Sequence, residues 1–146
     1  MATIEYAVST QNRRITLFRA LGASPTTGQL TIDFAGVTQL HCTSIWIELT
    51  GTDTSGTNGS GAIVQSDVEP ASIPTPATSV TATLAAFGDA TNNAPVIFAG
   101  HKVNEVFAPE AGYTELADLG TQNNMMAAAW KLGEDLSPSY SWVTSS

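Results

Sequence analysis

Residues 42–65, CTSIWIELTGTDTSGTNGSGAIVQ, decide the fold that the sequence predicts. Two apolar runs flank a long turn of small and polar residues, 51–61, which ends the first run and reverses the chain. Side chains in the first run alternate with a period of two, as in a β-strand. One face carries Ile45, Ile47 and Leu49, and the other carries Ser44, Trp46 and Glu48. The segment predicts a core strand and its return, in an all-β domain whose second sheet covers the apolar face.

Other short runs along the chain have the same strand character. They are residues 3–8, 14–20, 30–34, 80–84, 94–99, 113–119 and 140–144. Residues 125–132, MMAAAWKL, favour a helix by composition, but a run of about eight residues between a turn and chain breakers favours a strand. The spacing predicts about nine or ten short strands and no helix of ordinary length. This pattern indicates an all-β, two-sheet antiparallel sandwich, jelly-roll-like, with residues 1–146 as a single domain.

The charge balance of the chain is acidic, with five Lys and Arg against 13 Asp and Glu and a net charge of −8. Such a charge repels phosphate backbones and anionic membranes, so we expect no nucleic-acid partner. Three of the cations, Arg13, Arg14 and Arg19, lie in one short stretch without interleaved aromatic residues. This pattern is typical of a solvated strand face or of a patch that meets an acidic neighbour, which makes the three arginines candidate interface residues.

The sequence also argues against membrane insertion and against a reactive cysteine. It has no N-terminal secretion signal and no apolar run near the ~18 residues that a membrane span needs, so we expect no membrane insertion. The single Cys42 cannot form an internal disulfide, and its place beside a predicted strand favours a small buried thiol without reactivity.

Metal, cofactor and catalytic patterns are weak throughout. His41 and His101 have no spacing that would place ligands on one metal, and we expect both to be half-exposed residues at strand ends. Paired carboxylates perform the acid and base chemistry of glycosidases. The nearest pairs in sequence are Asp67 with Glu69, Glu115 with Asp118, and Glu134 with Asp135. All lie beside turn residues, so solvated loops are favoured, and we predict no cofactor and no catalytic residue.

Two features keep binding alternatives open. Oxygen atoms of Asp53, Ser55 and Asn58 in the turn 51–61 could surround a calcium ion, although a single carboxylate favours a plain flexible turn. Trp46, on the face opposite Ile45 and Ile47, could stack on a sugar ring. The same holds for Trp130 and Trp142, but the favoured interpretation places one or two of the tryptophans in the core.

Three longer stretches carry a resemblance to a known family. They are ITLFRALGASPTTGQLTIDF, IWIELTGTDTSGTNGSGAIVQS and GYTELADLGTQNNMMAAAWKLGEDLSPSYSW, which together cover most of the chain. They resemble the jelly-roll domains of tailed-bacteriophage virion proteins and related bacterial surface proteins. In that family the Gly-x-Asp turn and the Gly-Tyr-Thr-x-Leu segment look structural, so the resemblance implies no catalytic residue. The chain departs from the pattern at its beginning, where family domains commonly have further strands before the equivalent of Ile15.

A sandwich that lacks an edge strand exposes unpaired amides, a template for another chain. We therefore expect the protein to assemble with copies of itself or with a major capsid or tail protein. The resemblance implies a non-enzymatic virion structural protein, a capsid decoration or tail appendage, located in the virion. The alternative is a carbohydrate-binding sandwich that attaches to host glycans through exposed tryptophans.

Overall fold

The computed structural model describes residues 2–8, 14–20, 28–69, 78–101, 106–121 and 124–143. In chain order the elements are β1 (Ala2–Val8), β2 (Arg14–Arg19), a 3₁₀ helix (Thr57–Ala62), β3 (Ser79–Thr81), β4 (Val96–His101), β5 (Phe107–Pro109), β6 (Thr114–Thr121), β7 (Asn124–Trp130) and β8 (Ser139–Trp142). Arg13, the prolines of 70–77 and Thr144 lie outside the described residues. No helix within the described ranges is long and apolar enough to cross a bilayer.

All strand pairs are antiparallel. One three-stranded sheet has the order β4-β7-β6, the second has the order β3-β8-β5, and β1 and β2 form a separate two-stranded sheet. The ladder between β3 and β8 continues beyond their ends, because Ala82 N–H donates to Pro138 O and Leu84 N–H donates to Leu136 O. The strand predicted at 80–84 is therefore present in its hydrogen bonding, although the regular part ends at Thr81.

A single core joins the two three-stranded sheets. The β4-β7-β6 sheet contributes small side chains and one methionine, whereas the β3-β8-β5 sheet contributes large aromatic ones. The buried residues are Ala99, Met125, Ala127 and Ala129 on the first sheet, and Phe107, Tyr140 and Trp142 on the second. The rings pack edge to face, with 5.8 Å between the centroids of Phe107 and Tyr140 and 6.2 Å between those of Phe107 and Trp142. Small residues opposite large ones fill the space between the sheets.

This arrangement confirms the all-β sandwich. The strand predicted at 125–132 is confirmed as β7, which lies in the middle of its sheet and pairs with β4 and β6. Ala127, Ala128 and Ala129 are fully buried, so both faces of β7 are covered. Backbone bonding on both sides outweighs the helix propensity of three alanines. The jelly-roll connectivity of the strands stays a prediction.

Three predicted strand segments are wrong in their hydrogen bonding. Residues 30–34, 44–49 and the return at 63–65 belong to no sheet. The alternation of residues 43–47 nevertheless holds, because Thr43, Ile45 and Ile47 are half-buried while Ser44 and Trp46 are exposed. The segment passes beside β6, whose register with β7 shifts between positions 115 and 117. Such a bulge interrupts the row of backbone groups that a further strand needs.

Two further differences follow from the same geometry. Cys42 is exposed, which corrects the expectation of a buried thiol. It belongs to the outer face of the alternation, with Ser44 and Trp46, on a segment that lies at the surface. The strand β5 was not predicted, because it is only three residues long and contains Pro109, which a sheet tolerates on an edge strand such as this one.

Candidate functional site

Exposed apolar side chains are concentrated in residues 28–50. These residues form no strand of a sheet and turn at Ala35 and Gly36, and they are called the extended segment below. Those that are at least 40% exposed are Leu30, Ile32, Phe34, Val37, Leu40, Trp46 and Leu49. Leu40, Val37 and Trp46 are the most exposed, at 89%, 64% and 63%. Scattered apolar residues are common on protein surfaces, but a concentration of seven within one stretch indicates an interaction surface.

The backbone of residues 41–50 has no hydrogen-bond partner in the backbone that the structure describes. None of the backbone hydrogen bonds between described residues involves an N–H or C=O of these ten residues. The segment is held from the side, where Asn124 Nδ2 at the start of β7 donates to Thr43 Oγ1 at 2.9 Å. Backbone polar groups need a partner in protein or water, so an extended run without one is free to pair with another chain.

Two open grooves lie beside the extended segment. The first, of about 430 Å³, runs between residues 44–48 and the side chains of Leu116, Ala117 and Leu119 on β6. The second, of about 320 Å³, is lined by residues 47–50, Leu116 and Trp130. Glu48 is the only charged residue that lines either groove. The grooves therefore suit apolar side chains and lack the groups that acid and base chemistry requires.

The three tryptophans have different environments. Trp46 projects from the extended segment, and its Nε1 donates to Ser44 Oγ at 3.2 Å. Trp142 is in the core, where it stacks on His101 at 5.4 Å between ring centroids. Trp130 is half-buried at the end of β7. Among these three, Trp46 presents the ring best placed to meet another molecule. Trp142 lies in the core, as expected for one of the tryptophans, whereas Trp130 lines the second groove.

The structure separates the remaining predicted site residues. Arg14 and Arg19 lie at the two ends of β2, roughly 17 Å apart at strand spacing, on a different element from Trp46. Arg14 is exposed and Arg19 half-buried. His101, the last residue of β4, is half-buried as expected, whereas His41 is exposed. Within the described ranges no three His, Cys, Asp or Glu side chains come close enough to hold a metal ion.

The carboxylate of Asp53 accepts a hydrogen bond from the backbone of its own turn, 51–61. Asp53 Oδ1 accepts the Ser55 N–H at 2.7 Å, and Ser55 O accepts the Gly61 N–H at 3.0 Å. The hydrogen bond from the Ser55 backbone is the main cause that lowers the pKa of Asp53. A 3₁₀ helix, Thr57–Ala62, follows, with Asn58 and Gly59 in the left-handed region. Asp53 therefore stabilises the turn, and its carboxylate has less capacity left to bind a calcium ion.

A cluster of polar side chains lies at one end of the sandwich, where β5, β6, β7 and β8 begin or end. Tyr113 OH donates to Asp135 Oδ2 at 3.2 Å, and Lys131 Nζ pairs with the same oxygen at 3.0 Å. Ser139 Oγ donates to Glu110 Oε2 at 2.8 Å. A hydrogen bond to Asp135 is the main cause that raises the pKa of Glu110. Glu110 therefore keeps its proton to a higher pH than an isolated glutamic acid does.

Asp135 remains ionised in this cluster. Burial is the largest single influence and opposes its ionisation, but hydrogen bonds from Glu110, the Ser137 N–H and Lys131 lower the pKa of Asp135 to about 2. Glycosidases keep their two carboxyl groups roughly 5–9.5 Å apart to admit a sugar or a water. The direct contact between Glu110 and Asp135 leaves no such gap, so the cluster stabilises the loops at this end of the sandwich.

The carboxylate pairs that are close in sequence act separately in the structure. Asp67 Oδ2 accepts the Thr83 N–H at 2.8 Å, and Glu134 accepts the Phe87 N–H. Asp118 accepts the Phe107 N–H at 3.3 Å. Each holds the backbone of a neighbouring segment. Glu110 and Asp135, which do meet, are far apart in the chain, and no local pattern marks them as partners.

Comparisons of the chain with protein-family models, with curated proteins and with solved structures found no match. The similarity to phage virion domains therefore stays a prediction. The strongest functional feature of the described residues is the surface of the extended segment, which combines exposed apolar side chains with backbone groups that have no partner in the described backbone.

Proposed function

We propose that the protein is non-enzymatic and structural, and that it works by protein–protein assembly through the extended segment. The observation that supports this most directly concerns residues 41–50, whose backbone bonds to no other described backbone group and whose outer face carries an exposed tryptophan. A segment of this kind gains backbone hydrogen bonds and apolar burial when a second chain covers it.

The size of the surface is consistent with this function. Seven large apolar side chains of the extended segment are between 40% and 89% exposed. With typical side-chain areas, they present on the order of 700 Å² of apolar surface, close to the roughly 800 Å² that each partner contributes to a standard interface.

The setting of the assembly is proposed from the resemblance stated above. A jelly-roll-like domain similar to those of tailed-phage virion proteins would serve as a capsid decoration or a tail appendage. Its partners would be copies of itself or a major capsid or tail protein. Arg13, Arg14 and Arg19 remain candidate contacts for an acidic partner surface in such a particle.

Charge insertion into the extended segment tests the proposed function. Leu40→Asp and Val37→Asp change side chains that are 89% and 64% exposed, so the monomer fold should survive. Leu132→Asp is the matched control, because Leu132 is 67% exposed but lies outside the segment. We expect Leu40→Asp and Val37→Asp to abolish association in sedimentation velocity and incorporation into purified particles. Equal behaviour of all three variants would contradict the proposal.

A second candidate is supported by Trp46 alone. Its ring is 63% exposed and could stack on a sugar, as in a carbohydrate-binding module. Glycan-array binding that is lost in Trp46→Ala and kept in Leu40→Asp would favour this function. Loss of association in both variants, without any glycan signal in the unmodified protein, would favour assembly.

A further inference from the structure

The sequence around Trp46 is close to a palindrome in side-chain character. Residues 43–49 read TSIWIEL, so the neighbours on either side of Trp46 are isoleucines, and the next pair is Ser44 and Glu48. If two copies of this stretch pair antiparallel with Trp46 opposite Trp46, Ile45 meets Ile47 and Ser44 meets Glu48. The apolar residues 45–47 then face apolar ones, each Glu48 carboxylate faces a Ser44 hydroxyl, and Leu49 faces Thr43.

The backbone of the same stretch is prepared for this pairing. The side chains of 43–47 alternate between half-buried and exposed, as side chains do in a strand, and their N–H and C=O groups have no backbone partner among the described residues. Pairing with an identical stretch therefore requires little rearrangement. It satisfies the backbone groups along one edge of both segments at once.

Two copies repel each other less at the extended segment than at the acidic parts of the surface. Each chain carries a net charge of −8, so two copies repel each other wherever carboxylates meet. The extended segment contains only two acidic residues, Asp33 and Glu48, and no Lys or Arg. In the antiparallel pair the two Glu48 side chains are about 14 Å apart along the strands, more than one Debye length at physiological salt. The segment therefore offers a contact that largely avoids the repulsion.

We infer that the protein forms a two-fold symmetric dimer in which residues 43–49 of two copies pair as antiparallel strands centred on Trp46. The inference rests on the proposed function and names the partner of its surface, a second copy of this chain. The Trp46 rings, one from each copy, meet across the pair. The grooves beside β6 lie next to this contact and are lined by residues from the same stretch.

Disulfide trapping tests the register. In a Cys42→Ser background, Ser44→Cys and Glu48→Cys are combined so that Trp46 is kept. Opposite positions in an antiparallel pair have Cβ atoms about 4.5–5.5 Å apart, near the range of a disulfide, whereas positions 44 and 48 of one strand are about 13 Å apart and cannot cross-link within a chain. We expect mild oxidation to give a covalent dimer. Ser44→Cys alone is the control, because position 44 faces position 48, and it should give none.

Affinity gives a second readout. Trp46→Ala should weaken the dimer at least about 30-fold in sedimentation equilibrium, as removal of a central aromatic residue does in other interfaces. The near-ultraviolet spectrum of the buried Trp142 reports whether the fold is intact. Cross-linking of the double variant together with this loss supports the inference. Association that persists without cross-linking through 44 and 48 overturns the inferred pairing but leaves the assembly function standing.

Two other outcomes separate the inference from the function on which it rests. A chain that stays monomeric at all concentrations but binds purified particles through the extended segment overturns the self-pairing alone. Protection of the 41–50 amides from hydrogen exchange that is independent of concentration would mean that the segment pairs with β6 of its own chain, and it also overturns the dimer. A monomer that neither binds particles nor responds to Leu40→Asp overturns both.

Discussion

Tyr140 carries a polar atom that the fold does not use. The side chain is 2% exposed, and its hydroxyl has no hydrogen-bond partner among the described residues. Burial is the main cause that raises the pKa of Tyr140, and the nearby carboxylates of Glu115 and Asp118 add to it. The ring packs against Phe107 in the core, so the aromatic body stabilises the sandwich while the hydroxyl lowers that stability.

Tyr140→Phe should therefore raise the free energy of unfolding. Removing an unsatisfied buried hydroxyl recovers its desolvation cost, which is about 1 kcal/mol or slightly more, while the ring contacts are kept. Urea denaturation of the two proteins measures the difference. Trp142→Ala serves as the opposite control, because it empties part of the same core and should cost about 3–5 kcal/mol. A loss of stability in Tyr140→Phe would show that the hydroxyl has a partner.

The pair of Glu110 and Asp135 makes stability depend on pH in two directions. Because the folded-state pKa of Glu110 is raised, its contribution is complete below its ordinary value of 4.5 and is lost as the pH rises through the folded value. The pKa of Asp135 is lowered to about 2, so its contribution is present above 3.8 and is lost as the pH falls. The pair therefore stabilises the fold most at mildly acidic pH, where Glu110 is protonated and Asp135 is ionised.

Glu110→Gln keeps a neutral hydrogen-bonding side chain at every pH. We expect the melting temperature of this variant, relative to that of the unmodified protein, to rise between pH 4.5 and pH 7, by about 2–4 °C for a contribution of about 1 kcal/mol. Thermal melts at several pH values measure the difference. Glu115→Gln, at an exposed position outside the pair, should show no such trend. A constant difference across the pH range would mean that Glu110 does not keep its proton to a higher pH than an isolated glutamic acid does.

At the scale of elements, the β6–β7 hairpin leaves no room for a side chain at Gly120. A Cβ atom on Gly120 would lie 2.5 Å from Asn124 O and 2.7 Å from Met125 Cα, both in the backbone of the partner strand. On Gly100 of β4, the closest atom would be the end of the Ile15 side chain on β2, at 2.7 Å. A flexible side chain can move aside, whereas the backbone of a paired strand cannot.

The two glycines therefore form a matched pair of substitutions. Gly120→Ala should lower the free energy of unfolding by about 1–3 kcal/mol, because the hairpin must shift to admit a methyl group. Gly100→Ala should change it by less than about 1 kcal/mol, since Ile15 can adopt another rotamer. Chemical denaturation of both variants measures the two effects. Similar costs for the two substitutions would contradict the tight hairpin.

Element patterns explain which parts of the fold were predictable. The burial of Tyr140 and Trp142 on one face of β8 follows from a period of two, and the strand at β7 follows from its length and flanking turns. Pairing is different, because it depends on residues far apart in sequence. The alternation was correctly predicted for residues 44–47 but not for Leu49, which is 53% exposed. Nothing local to that stretch reveals that its backbone has no backbone partner among the described residues. The contact between Glu110 and Asp135 could not be predicted for the same reason.

At the scale of the whole molecule, exposed apolar surface and net charge act in opposite directions. Residues 28–50 favour association, while the charge of −8 on each chain opposes it. The arginines at the ends of β2 add little attraction against 13 acidic residues. The balance between the two effects depends on ionic strength, because salt screens the repulsion but leaves apolar burial largely unchanged.

Raising the salt concentration should therefore strengthen self-association through the extended segment. Between about 20 and 200 mM NaCl the Debye length falls from roughly 20 Å to less than 8 Å, and we expect the dimer dissociation constant to fall several-fold. Sedimentation equilibrium at a series of salt concentrations measures this slope, and Leu40→Asp shows how much of it depends on the segment. An interface held by opposite charges gives the reverse slope, since salt weakens it. A dissociation constant that rises with salt would assign the contact to the arginines of β2 instead of the apolar strand.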